Sequence, residues 1–178
     1  AASRGGSTPF SAVYEYADLN VTNAAPVLNN AGAPTLDSIL VNATDATNPG
    51  TLVSDLIARM GPAGGISDPD PGALQGLAII GLSGTATGTW QYTIDNGTTW
   101  AAIGTTGTVN ARLLAADPGT RIRYVPNTGF KGLVKLAFVA WDQTSGVNGG
   151  IANAASRGGS TPFSAVYEYA DLNVTNAA

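Results

Sequence analysis

An all-β sandwich is the fold class this sequence predicts, and three observations predict it. Glycine takes 23 of 178 positions, Thr, Asn and Asp are frequent, and charged residues make up only 11%, a balance that suits many short strands joined by tight turns. Several apolar runs alternate with period two, as strands with one buried face do. One of them, residues 88–103, turns back at Asp95-Asn96-Gly97-Thr98, and Asn-Gly between alternating runs is a strong hairpin signal.

Taken in order, residues 10–22 read as a strand, with Ala17, Leu19 and Val21 on one side and Tyr16, Asp18 and Asn20 on the other. Asn23-Ala24-Ala25-Pro26-Val27-Leu28 then punctuates the chain, since proline holds its predecessor in extended geometry. Residues 35–41 read as a strand and residues 45–50 as a turn. Val53, Leu56, Ile57 and Met60 recur at helical spacing and predict a short helix within residues 52–60. Ser67-Asp68-Pro69-Asp70-Pro71-Gly72 is a fixed loop, because two prolines and a glycine preclude regular structure. Strands follow at residues 77–82, on both arms of the 88–103 hairpin, at 121–125 and at Gly132–Trp141, where Val134, Leu136, Phe138 and Ala140 share a face. Gly61-Pro62-Ala63-Gly64-Gly65 has neither the lysine nor the helix start of a phosphate loop, which leaves it turn geometry.

The largest regularity lies above the strands. Residues 1–25 recur letter for letter as residues 154–178, so the chain reads as one period of a tandem array, 153 residues long, plus a second copy of its own end. Ala170, Leu172 and Val174 accordingly repeat the apolar face of the first strand, in a second one expected over residues 163–175. Residues 1–25 are expected to be the end strand of a preceding unit and residues 26–178 one complete sandwich. The alternative, a strand donated across the boundary so that residues 1–25 complete this domain, stays open at this point. An unpaired edge bearing Phe10, Tyr14 and Tyr16 would be an aggregation hazard.

Composition narrows the chemistry. The chain has no cysteine and no histidine, which excludes disulfides, thiolate and imidazole metal sites, and a Ser-His triad; it is not expected to be an enzyme or to take a small-molecule substrate. Residues 26–178 hold ten acids against seven bases, so an array of units is a polyanion. That disfavours nucleic acid, which needs a basic stripe, and favours divalent cations. No apolar run is long enough for a membrane span, and no basic segment precedes an apolar one at the start.

Two aspartates, Asp68 and Asp70, stand in a D-x-D pattern held by prolines, and hard oxygen ligands of this kind suit Ca²⁺. Further candidate ligands are Asp45 after an expected strand, Asp142 after the apolar run ending at Trp141, and Glu168. The last shares a face with Ala170 and Leu172, where burying a lone carboxylate is costly unless it is paired or coordinated. It is expected at the rim of the core. Residues Thr93 to Trp100 look like the Asp-box hairpin of sialidase propellers and other β-proteins, in which the aspartate and threonine satisfy the turn and the tryptophan packs beneath. That motif is structural. No second carboxylate is fixed across a cleft from Asp95, as glycoside hydrolysis would require.

Five ordered segments, Asn23-Ala24-Ala25-Pro26-Val27-Leu28, Ser67 to Gly76, Gly88-Thr89-Trp90-Gln91-Tyr92 with the following box, Arg121-Ile122-Arg123-Tyr124-Val125-Pro126, and Ala140-Trp141-Asp142-Gln143-Thr144, span nearly the whole period. Together they resemble the cadherin-like, Ig-like tandem repeats of giant type I-secreted bacterial adhesins of the RTX or Lap type. The resemblance implies an extracellular spacer at the bacterial cell surface, stacked on neighbouring repeats of its own chain. It implies Ca²⁺ stiffening at domains or junctions, and a distal ligand-binding domain projected for attachment and biofilm formation. Asp68, Asp70 and Asp142 match the acids of that family. Thr44-Asp45 departs from its Glu-Asp pattern, which weakens the case for calcium at that loop. The alternative is a carbohydrate-binding module in which Trp90, Trp100 or Trp141 stacks on a sugar.

Overall fold

The computed structural model describes Ser7, Pro9 and residues 13–61 and 65–176. Residues 10–12 of the first expected strand and residues 62–64 of the glycine-rich turn lie outside the described residues. In chain order the elements are β1 (Val27–Leu28), β2 (Ile39–Leu40), β3 (Thr51–Leu52), α1 (Val53–Ala58), β4 (Ile66–Ser67), β5 (Gly76–Leu82), β6 (Gly88–Thr93), β7 (Ala101–Ala102), β8 (Ala111–Ala115), β9 (Arg121–Pro126), β10 (Gly132–Trp141), β11 (Ile151–Ala152) and β12 (Glu168–Thr175). One sheet runs β11-β8-β5-β10-β12-β2, the other β3-β9-β6-β7, and β1 pairs with β4 in a separate ribbon. The fold is an all-β sandwich with one short helix, as the sequence predicts.

The sandwich closes because strand alternation supplies two facing apolar surfaces. Leu77 and Ile79 of β5, Leu114 of β8, Val134, Leu136, Phe138 and Ala140 of β10, and Ala170, Leu172 and Val174 of β12 meet Trp90, Ile122 and Tyr124 of the opposite sheet, and all are buried. Each of the Leu, Ile, Val and Phe side chains contributes about 1.5–3 kcal/mol by leaving water. β10 is the spine of the larger sheet. It pairs antiparallel with β12 from Gly132↔Val174 to Phe138↔Glu168, and with β5 across a bulge between Ala137 and Phe138.

Helix α1 has six residues, too few to persist on intrinsic propensity. Val53, Leu56, Ile57 and Met60 hold it by burial, and its C-cap is Arg59. The expected hairpin forms between β6 and β7, with Asn96 at φ 56° and Gly97 at φ 89°.

Three expected elements come out differently. The strand over residues 35–41 shortens to β2, because the Asp37 amide donates to Thr51 Oγ1 at 2.8 Å rather than to a strand; Thr35 keeps a single parallel bridge to Asp171. The turn at 45–50 contains a 3₁₀ turn at Asp45–Thr47. In the second copy of the duplicated segment the long strand starts at Glu168 rather than at residue 163. Phe163 instead bridges Trp141, and Ser164 exchanges hydrogen bonds with Ala140 through its amide and its Oγ. Ahead of that strand, Ala154 and Phe163 cover Ala78, Ala111, Leu113, Val139 and Trp141 on the outer face of the larger sheet.

The two copies stand in opposite surroundings. Leu172 is 2% exposed and Val174 3%, whereas Leu19 is 87% exposed and Val21 84%. Residues 13–22, the described part of the strand expected over residues 10–22, belong to no strand, a fourth departure from the sequence expectation. Identical side chains are core in one place and surface in the other, so the difference comes from available partners and not from propensity.

Candidate functional site

The end of β10 carries the polar site. Asp142 follows Trp141 directly and is 3% exposed. Its Oδ1 accepts from the Thr144 amide at 2.8 Å and from Thr144 Oγ1 at 2.6 Å, a local loop closed by Gln143 at φ 64°. Its Oδ2 accepts from Asn23 Nδ2 at 2.9 Å. That amide also donates to the Thr161 carbonyl at 3.3 Å, and the Ala25 amide donates to the Gly159 carbonyl at 2.8 Å. The proline-rich loop arrives from the other side. Asp70 Oδ2 accepts from the Ala24 amide at 2.8 Å, and Asp68 Oδ1 accepts from the Asp70 amide at 2.8 Å. Asp68 Oδ2 is buried with no hydrogen-bond partner.

Asp142 and Asp70 therefore both bond the segment Asn23-Ala24, where the sequence placed the unit boundary, while Asp68 bonds the amide of Asp70. None of the three ion pairs among the described residues reaches them: Arg59 pairs with Asp37, Arg123 with Asp45 and Lys135 with Asp171. Asp142 is buried, and the hydrogen-bond donors around its carboxylate are all neutral. Among the described residues, no group of three acidic side chains forms a ready-made ligand cluster. The arrangement is two carboxylates bonded to one chain segment, and a third, Asp68, bonded within the proline-rich loop and carrying an unsatisfied oxygen.

The other two candidate ligands have different company. Asp45 Oδ1 pairs with Arg123 Nη2 at 2.9 Å, and the Arg123 guanidinium also accepts the face of Trp100 at 4.0 Å and donates to Gln91 Oε1 at 2.8 Å. Glu168 lies at the start of β12 opposite Phe138; its Oε1 accepts from the Tyr169 amide at 2.7 Å, and its Oε2 is buried without a partner. Neither residue takes part in the hydrogen bonds of Asp68, Asp70 and Asp142. Asn23 is the residue sequence reading missed, because Asn-Ala-Ala-Pro reads as punctuation. Its identity with Asn176, immediately after β12, is the signal that could have found it.

The side chains of the β6–β7 hairpin bond the turn itself. Asp95 accepts from the Thr99 amide at 2.9 Å, from Thr99 Oγ1 at 2.6 Å and from the Thr93 hydroxyl, while Thr93 Oγ1 accepts from the Gly97 amide at 3.1 Å. These donors, Thr93 foremost, hold the Asp95 carboxyl at about 2, well below its ordinary value. Of the three tryptophans, Trp90 and Trp141 are core, and only Trp100 is half-exposed. It lines a groove of 300 Å³ with Asp45, Asn48, Asn96 and Arg121.

Compared with family models, curated proteins and solved structures, the chain matches none.

Proposed function

We propose that this chain is a spacer unit of a tandem array, an extender of a large bacterial cell-surface adhesin whose junctions are stiffened by Ca²⁺. The observation that carries the reading is where the chain enters and leaves the sandwich. It enters at Asn23, bonded to Asp142 at one end of β10, and leaves at Thr175, one residue past the Val174↔Gly132 pair at the other. Ten strand residues separate these ends, about 30 Å at strand rise. Units joined in this way extend and do not fold back. Asn176 occupies in the next unit the place of Asn23 here, so no spacer residues intervene between one unit's last strand and the next unit's acidic loop.

Calcium fits that junction on the chemistry of its donors. Asp68, Asp70, Asp142 and Asn23 are the residues that would hold it, and the buried, partnerless Asp68 Oδ2 is the atom most in need of a cation. Bound there, the ion would supply positive charge to carboxylates that have no basic partner among the described residues and would tie the proline-rich loop to the linker. Asp45 is no part of this reading, since Arg123 already neutralises it.

Small-angle scattering on a multi-unit chain, with calcium and with chelator, tests both halves. The maximum dimension should shorten on chelation, and Asp68→Asn with Asp142→Asn should remove the difference. Equal dimensions in both conditions would end the calcium proposal; dimensions that do not grow with unit number would end the spacer proposal. A second reading, glycan binding, draws only on half-exposed Trp100 in its polar groove. Specific signals on a glycan array, lost in Trp100→Ala, would favour it over the spacer.

A further inference from the structure

We propose that residues 15–22 form a closing strand for a second copy of this unit, and that their partner is the slot between β10 and β2 of another chain. The slot's requirements are known from the strand that fills it. β12 buries Ala170, Leu172 and Val174, hydrogen-bonds β10 over seven register pairs and sets Asp171 on Lys135 Nζ at 2.8 Å. Residues 15–22 carry the same letters as residues 168–175. Ala17, Leu19 and Val21 would fill the same positions, and Asp18 would meet the same lysine. Yet Tyr16, Leu19 and Val21 are more than four-fifths exposed.

The first copy cannot use the slot of its own chain. In β12 register Val21 would lie opposite Gly132, while Asn23, two residues on, is bonded to Asp142 beyond the far end of β10. Two residues span about 7 Å, against about 30 Å for the strand. The pairing is therefore available only between units. It is head-to-tail, the kind of contact that propagates along a chain of copies instead of closing a dimer. The resident β12 keeps the slot filled, so exchange requires that β12 be dislodged. Neither calcium nor a spacer role enters this inference.

The full chain tests it, since it contains no cysteine and introduced thiols report alone. Leu133 and Asn173 oppose each other on the solvent side of β10 and β12, and Asn20 is the first-copy counterpart of Asn173. Asn20→Cys with Leu133→Cys should stay monomeric under mild oxidation, because β12 holds the slot. Adding Leu172→Asp dislodges β12. Most of that triple variant should then convert to a ladder of covalent multiples of the 17.9 kDa chain, read on non-reducing gels and by light scattering. Adding Leu19→Asp as well should remove the ladder. A disulfide within one chain, a triple variant left with free thiols, or a ladder that survives Leu19→Asp would overturn the proposal; the last outcome is what unfolded, unspecific cross-linking gives.

Discussion

Leu19 and Leu172 permit a stability comparison in which the local sequence is held constant. Both sit in the segment Tyr-Ala-Asp-Leu-Asn-Val-Thr, so intrinsic propensity and unfolded-state effects are matched at the two sites. Leu172 is 2% exposed, opposite Val134 in the core between the sheets. Leu172→Ala removes its transfer free energy and leaves a cavity walled by residues of both sheets, a loss of about 3 kcal/mol. For a chain of this size that lowers the melting temperature by roughly 6–12 °C. Leu19 is 87% exposed, and Leu19→Ala should change stability by less than about 0.5 kcal/mol. Urea unfolding followed by tryptophan fluorescence measures both, since Trp90 and Trp141 are buried in the sandwich. Equal losses in the two variants, or the larger loss at Leu19, would refute the assignment of the second copy as the resident strand.

The Asp95 carboxyl should titrate near 2 by NMR, held there by Thr93 and Thr99. Because its folded value lies below the ordinary one of 3.8, its contribution is complete above that value and is lost as pH falls toward 2; a midpoint near 3.8 would contradict the hydrogen bonds described. Gly76→Ala brings a Cβ to 2.7 Å from Trp141 Cε3 and 2.9 Å from the Leu114 carbonyl, and should cost about 1–3 kcal/mol in thermal unfolding. Arg123→Ala strands Gln91 and the Asn48 carbonyl behind a vacated 4%-exposed guanidinium and should cost about 2–4 kcal/mol, whereas Asp45→Asn, at an 86%-exposed side chain, should fall within about 0.5 kcal/mol. Chemical denaturation of the two variants checks the asymmetry.

How far the fold was legible depended on how each strand is buried. β10 is legible to the residue, because its inward positions alternate visibly, and α1 and the Asn-Gly hairpin are legible for comparable reasons. β8 is not, since Ala111-Arg112-Leu113-Leu114-Ala115 is buried on both faces, one against the opposite sheet and one beneath Ala154 and Phe163, and a strand covered on both sides shows no alternation. β1, β3, β4 and β11 have two residues each, too few for any period. The duplicated segment marks a firmer boundary, for one string of letters takes two conformational roles and only the presence of β10 beside it decides which. At the site, the acids were visible one by one. The meeting of Asp142 and Asp70 on Asn23-Ala24 was not, because it joins loops far apart in sequence, and the partner that removes Asp45 from the set, Arg123, lies in a strand whose facing depends on the same tertiary fold.

The placement of residues 23 and 175 at opposite ends of one strand has a mechanical consequence. A pull applied between them acts along β10 and β12, at right angles to the hydrogen bonds that join those strands. The seven register pairs of that ladder then carry the load together, in shear, instead of parting one after another from an end. A molecule tethered at these two points resists extension through its longest ladder, and its lifetime under tension is set by how slowly that ladder yields as a whole.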